Sequence, residues 1–460
     1  MKKIKIYSLV LLLLAFFLNS CEEWIDTDVN IDPNNPDDVT MDLLLPTIEG
    51  CWAYQIGGDV SLAPRLWMQQ LGGADRQALS YDRYTYIQSD VNNFWRWNSY
   101  TGPFMDTKIL IDKAAELNSP AYKGVAEVLW VLEFLTFTDL FGDVPYTEAL
   151  QGDENRYPKF DSQESILIDL DAKLTDAISN LAASSDVVPG GDDLLYGGDL
   201  TLWTKAAYAL RARLYLHWGN KDASKRGQIQ AAIDNSFESE AESMVFAFAQ
   251  AANNSNPFYQ FCIVDRPGYI YMGEYFMNLL NNNTPYDFGD DDPRLSIFAD
   301  TAGFGGYVGT PVGEPGVACD PGPYFIAPSA VVPFITYAEV KFIEAEINSG
   351  AARDEAVKEG IRASLEMYGV LGADPAWEAA NIDAIADATL EDVIMAKYVG
   401  LALQLEVYSD YRRTGFPTLA TYEGQPIPVR YPYATACYNY NPDNAPTGVT
   451  KNDPVWWDSD

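Results

Sequence analysis

The sequence predicts a mainly α-helical protein in which paired helices form a scaffold, with long irregular loops and few short strands. Two observations lead to this prediction. Several segments after Phe104 carry apolar residues at steps of three and four positions, which is the spacing of one helix face. The stretch between Gln250 and Pro333 shows no such period, because Asn, Gly, Pro and aromatic residues dominate it. Since irregular stretches of this length are uncommon and usually functional, we expect ligand or partner loops there.

The first 20 residues have the pattern of a secretory signal peptide. Lys2, Lys3 and Lys5 precede an unbroken apolar run from Leu9 to Leu18. A membrane-spanning helix needs roughly 20 apolar residues, so this run is too short for a permanent anchor helix. We therefore expect residues 1–20 to be removed during export.

Cys21 closes the apolar run and is followed by two glutamates. The string Leu18-Asn19-Ser20-Cys21 resembles the bacterial lipobox, in which the cysteine thiol is acylated and becomes the first residue of the mature protein. One acyl chain binds a membrane marginally and two or more bind stably, so the several chains that this resemblance implies would form a firm tether. Residues 21–40 are expected to form a lipidated polar arm, and residues 41–460 a single domain.

Acidic residues dominate the charged side chains. The chain has 66 Asp and Glu against 30 Lys and Arg, and its formal net charge is −36. A charge of this sign repels nucleic acid and anionic lipid headgroups, so polyanionic partners are disfavoured. Neutral and cationic ligands remain open.

Neither the cysteines nor the acidic residues have the spacing of a metal site. Four cysteines follow Cys21 without any C-x-x-C pair, and the sequence leaves both disulfides and free thiols open: Cys51, Cys262, Cys319 and Cys437. Asp26, Asp28 and Asn30 imitate the start of a calcium loop, but Ile31 stands where the turn needs glycine. An acidic cluster in the long loop region fits no loop motif: Asp287, Asp290, Asp291 and Asp292. No metal or other cofactor is expected.

The helical periods fall into neighbouring pairs joined by short breaks. The predicted helices are Tyr122–Leu140, Gln163–Leu181 paired with Leu202–Trp218, Ile335–Asn348 paired with Asp354–Tyr368, and a helix from Leu390 to about Tyr411. Such pairs, with Ala, Leu, Tyr and Trp at the packing positions, resemble degenerate tetratricopeptide repeats. The scaffold is expected at about residues 104–249 and 334–411, with the loop region at about 250–333. Tryptophans at helical spacing are expected in the core: Trp130, Trp203 and Trp218.

One nine-residue string carries more information than a helix end requires. Thr138-Asp139-Leu140-Phe141-Gly142-Asp143-Val144-Pro145-Tyr146 ends the first long predicted helix, where Gly142 suits a left-handed cap and Pro145 stops the helix. The string resembles a hallmark of the SusD/RagB family, the outer-membrane nutrient-binding lipoproteins of Bacteroidetes-type bacteria. Further stretches resemble the family in the same order, among them Tyr157-Pro158-Lys159-Phe160-Asp161, Asp292-Pro293-Arg294-Leu295 and Asp410-Tyr411-Arg412-Arg413-Thr414-Gly415-Phe416-Pro417.

The family resemblance implies both an architecture and a role. The architecture is a scaffold of four tetratricopeptide-like hairpins with loops on one side. The role is that of a surface lid over a SusC-like TonB-dependent transporter in the outer membrane. Such a lid captures an oligosaccharide, or alternatively a peptide, and delivers it into the transporter.

Exposed aromatic residues are the candidates for a glycan site, because a neutral sugar packs on flat rings beside a few hydrogen-bonding groups. Between Asn92 and Tyr100 large aromatics alternate with amides, and the first candidates there are Trp95, Trp97 and Asn98. The family resemblance also implies a Trp and an Asn in this neighbourhood. The alternative is that one or both tryptophans pack on the helices. Further candidates are the loop residues Tyr81, Tyr84, Tyr271 and Tyr307, which could equally dock on the transporter.

Recognisable catalytic motifs are missing from the sequence. His217 is the only histidine, and it lies inside a predicted helix. No H-E-x-x-H, G-x-S-x-G, phosphate-loop or dinucleotide motif occurs. We therefore expect a binding protein and not an enzyme. A glycoside hydrolase that uses two carboxylates remains a less favoured alternative, because it needs no sequence motif.

Overall fold

Helices dominate the chain, and short strand pairs connect its loops. The structure is a computed structural model and describes residues 39–251, 254–281, 292–301, 303 and 305–458. The predicted signal peptide, Cys21 and almost all of the polar arm lie outside the described residues, as do Asp287, Asp290 and Asp291. From Met41 onward the chain clusters into one compact unit.

The longer helices form the scaffold. They are α1 (Met41–Gly57), α2 (Asp59–Trp67), α3 (Pro103–Glu116), α4 (Pro120–Phe141), α5 (Gln163–Leu181), α6 (Leu200–Trp218), α7 (Tyr337–Ile347), α8 (Ala351–Met367), α9 (Leu390–Gly400) and α10 (Glu406–Thr414). Neighbouring helices pack as hairpins: α3 on α4, α4 on α5, α5 on α6, and α7 on α8. The predicted helical scaffold is confirmed.

Shorter elements lie between the scaffold helices. Short α-helices lie at Arg76–Asp82, Asn92–Trp95, Ala223–Arg226, Ile229–Ile233, Pro257–Tyr259, Glu274–Leu280, Leu295–Phe298, Pro323–Ile326, Pro375–Glu378 and Thr435–Tyr440. π-Helical turns lie at Arg96–Tyr100, Gln260–Asp265 and Ala379–Asp383, and 3₁₀ turns at Gly152–Glu154, Glu240–Glu242, Tyr422–Gly424 and Trp456–Asp458.

The described strands are short, and each pairs with one other strand. They are β1 (Leu71–Gly73), β2 (Met244–Ala247), β3 (Ile270–Met272), β4 (Ala299–Asp300), β5 (Asp320–Pro321) and β6 (Val331–Ile335). Three antiparallel pairs result: β1 with β3, β2 with β6, and β4 with β5. The region 250–333 is therefore less irregular than the sequence predicted. Its described elements are no longer than seven residues, too short to show a period.

Both ends of α4 lie close to the positions that the sequence predicts. At its start the Ser119 hydroxyl accepts a hydrogen bond from the Tyr122 amide (3.4 Å), and Pro120 occupies the first turn. At its end Gly142 takes a φ of 77° and its amide donates to the Thr138 carbonyl (2.7 Å). The predicted helix Tyr122–Leu140 is confirmed to within two residues at its start and one at its end.

The helix predicted from Leu390 to about Tyr411 is wrong as a single element, because α9 ends at Gly400 and α10 starts at Glu406. Tertiary contacts break it. The Ser364 hydroxyl donates to the Gly400 carbonyl (3.1 Å), and Leu403, at a φ of 61°, donates its amide to Gln70 Oε1 (2.7 Å). The freed backbone groups are therefore satisfied by side chains.

Two helices, α1 and α2, precede the predicted scaffold and were missed. Each contains a proline, Pro46 or Pro64, which is unfavourable inside a helix in sequence-based reasoning. Both helices are stabilised by burial, because Trp52 in α1 and Trp67 in α2 are fully enclosed. Trp52 packs on Phe104 with ring centroids 5.8 Å apart.

A buried ionic network joins α6, α7, α9 and α10. Arg213 binds Glu339 (2.6 Å), Lys397 binds Asp410 (2.9 Å), and Arg413 binds both Asp410 and Glu346. Pairing offsets part of the cost of burying these charges, and loss of one partner would leave the other charge buried and unpaired. The network therefore specifies how these helices face one another.

Two further expectations can be compared with the structure. Trp130, Trp203 and Trp218 are buried, as predicted. The cysteines that follow Cys21 are free thiols, which decides between the two alternatives left open by the sequence.

Within the described ranges, no helix is both long and apolar enough to cross a membrane.

Candidate functional site

A cavity of about 360 Å³ opens beside the segment Asn92–Tyr100. Its lining residues are Trp95, Arg96, Tyr100, Thr101, Met105, Pro145, Ala149, Leu150, Asn155, Arg156, Pro158, Phe160, Ala436, Cys437, Tyr440 and Asn441. These residues come from three separate parts of the chain. The cavity has the size and the mostly apolar lining of a small-molecule site.

The change from an α-turn to a π-turn after Trp95 separates the two candidate tryptophans. Trp95 is buried and lines the cavity, where its ring stacks on Phe160 with centroids 6.0 Å apart and contacts Phe141 at 5.0 Å. Trp97 is 61% exposed and stands at the surface. Trp95 therefore supports the wall, while Trp97 lies outside the lining and offers an exposed ring beside Arg96.

Arg96 lies between two exposed aromatic rings at the cavity. Its guanidinium carbon is 5.0 Å from the Trp97 ring centroid and 5.3 Å from that of Tyr440, which is 62% exposed. Such cation–π contacts hold a guanidinium plane against the rings and leave its N–H donors at the edge. Within the described chain no carboxylate forms an ion pair with Arg96, so these donors remain open to a ligand.

Another wall of the cavity is formed by residues 145–160, which follow from the end of the string Thr138–Tyr146. The Tyr100 hydroxyl donates a hydrogen bond to the Pro145 carbonyl (2.7 Å), which connects the segment Asn92–Tyr100 to that string. The side-chain amide of Asn441 donates to the Pro158 carbonyl (2.7 Å), and that of Asn444 to the Tyr157 carbonyl (2.9 Å). These bonds hold Tyr157, which is 64% exposed, beside the lining residues.

The charged residues of the lining are basic. It contains Arg96 and Arg156 but no Asp or Glu among its described members, although the whole chain is strongly acidic. Arg156 is paired with Asp153 (2.6 Å) at the surface. Burial raises the pKa of the Cys437 thiol to about 12, so this group is uncharged in the wall. The site can therefore stack rings and donate hydrogen bonds.

The structure separates the other residues predicted for the site. Asn98 is half-buried and does not line the cavity. Tyr81 and Tyr84 are buried, and the Tyr81 ring packs edge-on against Tyr86 at 4.7 Å, so neither offers an exposed ring. Tyr271, in β3, and Tyr307 are half-buried in the loop region and line no part of this cavity.

Sequence reasoning missed Tyr157 and Tyr440. Tyr157 belongs to one of the family-like strings, and Tyr440 stands in the stretch Tyr438-Asn439-Tyr440-Asn441, which alternates aromatics with amides as the segment from Asn92 does. That alternation was a usable signal. That Tyr440 lies beside Arg96 could not be predicted, because it depends on contacts between residues some 280 to 340 positions apart.

Comparison with known proteins agrees with this architecture. The SusD-like family model, described as "Starch-binding associating with outer membrane", matches residues 33–434. The fold and this match define a helical SusD-type protein. The chain belongs to the SusD-like family. No curated protein matches it.

Solved structures show the same fold. One is a chitin-binding protein with a TM-score of 0.77 and 22% identity, covering 92% of this chain and 100% of its own. A SusD/RagB family protein from Bacteroides thetaiotaomicron has a TM-score of 0.76 and 21% identity, covering 92% and 99%. A chitin-binding SusD homologue from Flavobacterium johnsoniae has a TM-score of 0.72 and 20% identity, covering 91% and 97%.

Proposed function

We propose that this protein is a surface glycan-binding lipoprotein of the outer membrane, and that it delivers its ligand to a SusC-like TonB-dependent transporter. One observation carries the binding part of the proposal. The exposed ring of Tyr440 lines a cavity whose lining offers amide and guanidinium donors, and the exposed rings of Trp97 and Tyr157 belong to chain neighbours of the lining residues Arg96 and Pro158. This is the combination that a sugar needs, since its C–H faces pack on rings and its hydroxyls accept hydrogen bonds.

Family membership supports the remaining parts. The family description names starch and the outer membrane, and two structurally similar proteins are named for chitin binding. Delivery to a transporter, a lipid on Cys21 and a position at the cell surface are proposals that follow the family resemblance. The absence of a carboxylate from the described lining favours binding without turnover.

The first prediction concerns the exposed rings. Trp97→Ala and Tyr440→Ala should each weaken glycan binding about five- to thirtyfold, because each removes a stacking surface worth about 1 to 2 kcal/mol from the rim. Affinity electrophoresis in gels containing soluble starch or a soluble chitin polymer measures the loss. Tyr54→Ala, which removes an exposed ring on α1 outside the cavity lining, is the matched control and should migrate as the wild type does.

Three results would contradict the proposal. If neither rim variant changes retention on a glycan that the wild type binds, this cavity is not the site. If the protein retains no glycan but binds a peptide library through the same rings, the ligand class is wrong. Release of reducing sugar from any retained glycan would show an enzyme instead of a binding protein.

A further inference from the structure

The cavity beside Asn92–Tyr100 has a charge opposite in sign to that of the whole chain. The formal net charge of the chain is −36, yet the charged members of the described lining are Arg96 and Arg156. Arg156 is exposed and is already paired with Asp153 (2.6 Å), so its charge is cancelled locally. The net positive charge of this lining therefore comes from Arg96.

Arg96 is held in place by rings and not by a carboxylate. Its guanidinium carbon lies 5.0 Å from the ring centroid of Trp97 and 5.3 Å from that of Tyr440, and the side chain is half-buried. Within the described chain no carboxylate forms an ion pair with it. A cation that is partly withdrawn from water and lacks a counter-charge favours an anionic ligand. The contacts with the rings also restrict the side chain before a ligand arrives, which lowers the entropic cost of binding.

The shape of the guanidinium limits which anion fits. Its planar edge donates two parallel N–H hydrogen bonds, which match the two oxygens of a carboxylate. A sulfate or phosphate group presents three oxygens, and the described lining holds no second unpaired cation to bind the third. The rings beside Arg96 pack on C–H groups. A uronic acid, which is a sugar with a carboxylate at C6, offers both a C–H face and a carboxylate in one residue.

The acidity of the whole chain limits how many carboxylates the ligand carries. A uniformly charged polymer places its other carboxylates along an acidic protein surface, which repels them. This repulsion is screened beyond about 8 Å at physiological ionic strength, so a carboxylate is affected mainly by its immediate surroundings. One carboxylate in a mostly neutral glycan therefore pairs with Arg96 while the neighbouring sugars avoid the repulsion.

We propose that Arg96 makes this site selective for glycans that carry isolated uronic acid residues, by pairing with the uronate carboxylate while Tyr440 and Trp97 pack on the sugar. This inference rests on the proposed glycan binding at the same cavity, and it adds the chemical class of the ligand. A neutral glycan packs on the same rings but leaves the charge of Arg96 without a partner.

Affinity electrophoresis of the detergent-solubilised full chain compares each glycan with its own uncharged form. Soluble starch and a soluble chitin polymer are used unchanged and after sparse oxidation at C6, which converts a primary alcohol to a carboxylate and keeps the backbone. Glucuronoxylan is compared with its carboxyl-reduced form. In at least one of these three pairs, we expect the carboxylate form to bind about tenfold more tightly than the uncharged form, because hydrogen bonds to charged groups are the stronger ones.

Substitutions of Arg96 test whether this residue causes the preference. Arg96→Gln should bring the ratio of the two affinities to about one, and Arg96→Lys should retain only part of the preference, because an ammonium lacks the planar fork. Arg76→Gln is the matched control. The Arg76 guanidinium carbon also lies near a ring, 5.8 Å from the centroid of Tyr269, but outside the cavity lining, so this variant should keep the wild-type ratio.

The outcomes separate this inference from the proposed function. Equal affinity of the wild type for both members of every pair, with retention that is lost in Trp97→Ala, would overturn selection by Arg96 and leave glycan binding intact. Retention of no glycan, with or without binding of acidic peptides, would overturn both. A preference for the carboxylate form that survives Arg96→Gln would overturn the inference alone. Thermal unfolding shows whether Arg96→Gln has folded, and Arg96→Lys decides if it has not.

Discussion

His217 is completely buried between two carboxylates. Its Nδ1 lies 3.0 Å from Asp139 Oδ2, its Nε2 lies 2.7 Å from Glu406 Oε1, and its ring stacks on Trp457 at 5.1 Å. Burial alone would lower the pKa of His217, but Glu406 and Asp139 outweigh it and raise the pKa from 6.5 to about 9. The histidine is therefore charged at neutral pH and closes the network between α4, α6 and α10.

The raised pKa of His217 predicts a pH-dependent contribution to stability. A group whose pKa rises on folding stabilises the fold fully below its unfolded pKa, here near 6.5, and loses this contribution as pH passes through 9. His217→Gln should therefore lower the free energy of unfolding more at pH 6 than at pH 9.5, by roughly 3 kcal/mol. Urea unfolding of both proteins at the two pH values measures the difference. An equal loss at both pH values would contradict this assignment of charge.

Single residues also show the limit of the sequence prediction for the site. Trp95 and Trp97 were equivalent in sequence, because both are large aromatics in one polar segment. The π-turn Arg96–Tyr100 changes the direction of the second ring, and no local pattern predicts such a turn. The right segment could be predicted, but which ring is exposed could not.

At the level of elements, close packing between α4 and α5 depends on one glycine. An added Cβ at Gly124 would lie 2.7 Å from Leu181 Cγ and 3.0 Å from the Ala177 carbonyl oxygen. Gly50 in α1 is also inside a helix, but its added Cβ would meet only Phe246, at 3.9 Å. The two glycines therefore form a matched pair.

Alanine should have opposite effects at these two positions. Gly50→Ala should raise the free energy of unfolding by about 0.5 to 1 kcal/mol, because it gains helix propensity without a clash. Gly124→Ala should lower it by about 1 to 2 kcal/mol, because overpacking against α5 exceeds that gain. Chemical denaturation of the two variants beside the wild type gives both values. Stabilisation by both would show that α5 moves freely away from α4.

The elements divide into those that a local pattern can predict and those that it cannot. α4, α5 and α8 are long and have caps or apolar periods that depend only on neighbouring residues. The break between α9 and α10 depends on Gln70 and Ser364, which lie far away in sequence. α1 and α2 each contain a proline, which disfavours a helix in any local prediction, and their apolar composition predicts burial but not a helix.

For the whole molecule, the site is where distant parts of the chain meet. The Asn92 side chain accepts a hydrogen bond from the Ala436 amide (3.0 Å), and Asn441 reaches Pro158. The C-terminal tail therefore completes the cavity that the segment near Trp95 begins. Composition could predict an aromatic-rich binding protein, but only the folded chain brings Tyr440 to Arg96.

We expect membrane attachment through Cys21 to be independent of glycan binding. Cys21→Ala should move the protein from the membrane fraction to the soluble fraction, because each acyl methylene contributes about 0.8 kcal/mol to membrane binding. Fractionation of cells followed by immunoblotting measures this shift. Purified Cys21→Ala protein should retain the wild-type affinity for glycan in gels, and a variant that stays with the membrane would contradict the lipid anchor.

In cells that contain the transporter, comparison of Trp97→Ala with Cys21→Ala distinguishes capture of the glycan from its delivery. If the protein acts as a lid, Trp97→Ala should stay at the membrane and bind less labelled glycan. Cys21→Ala should bind glycan normally once purified, yet support less uptake, because an untethered lid is diluted away from the transporter mouth and the effective concentration of a linked partner is lost. Normal uptake in Cys21→Ala cells would show that the glycan reaches the transporter without a tethered lid.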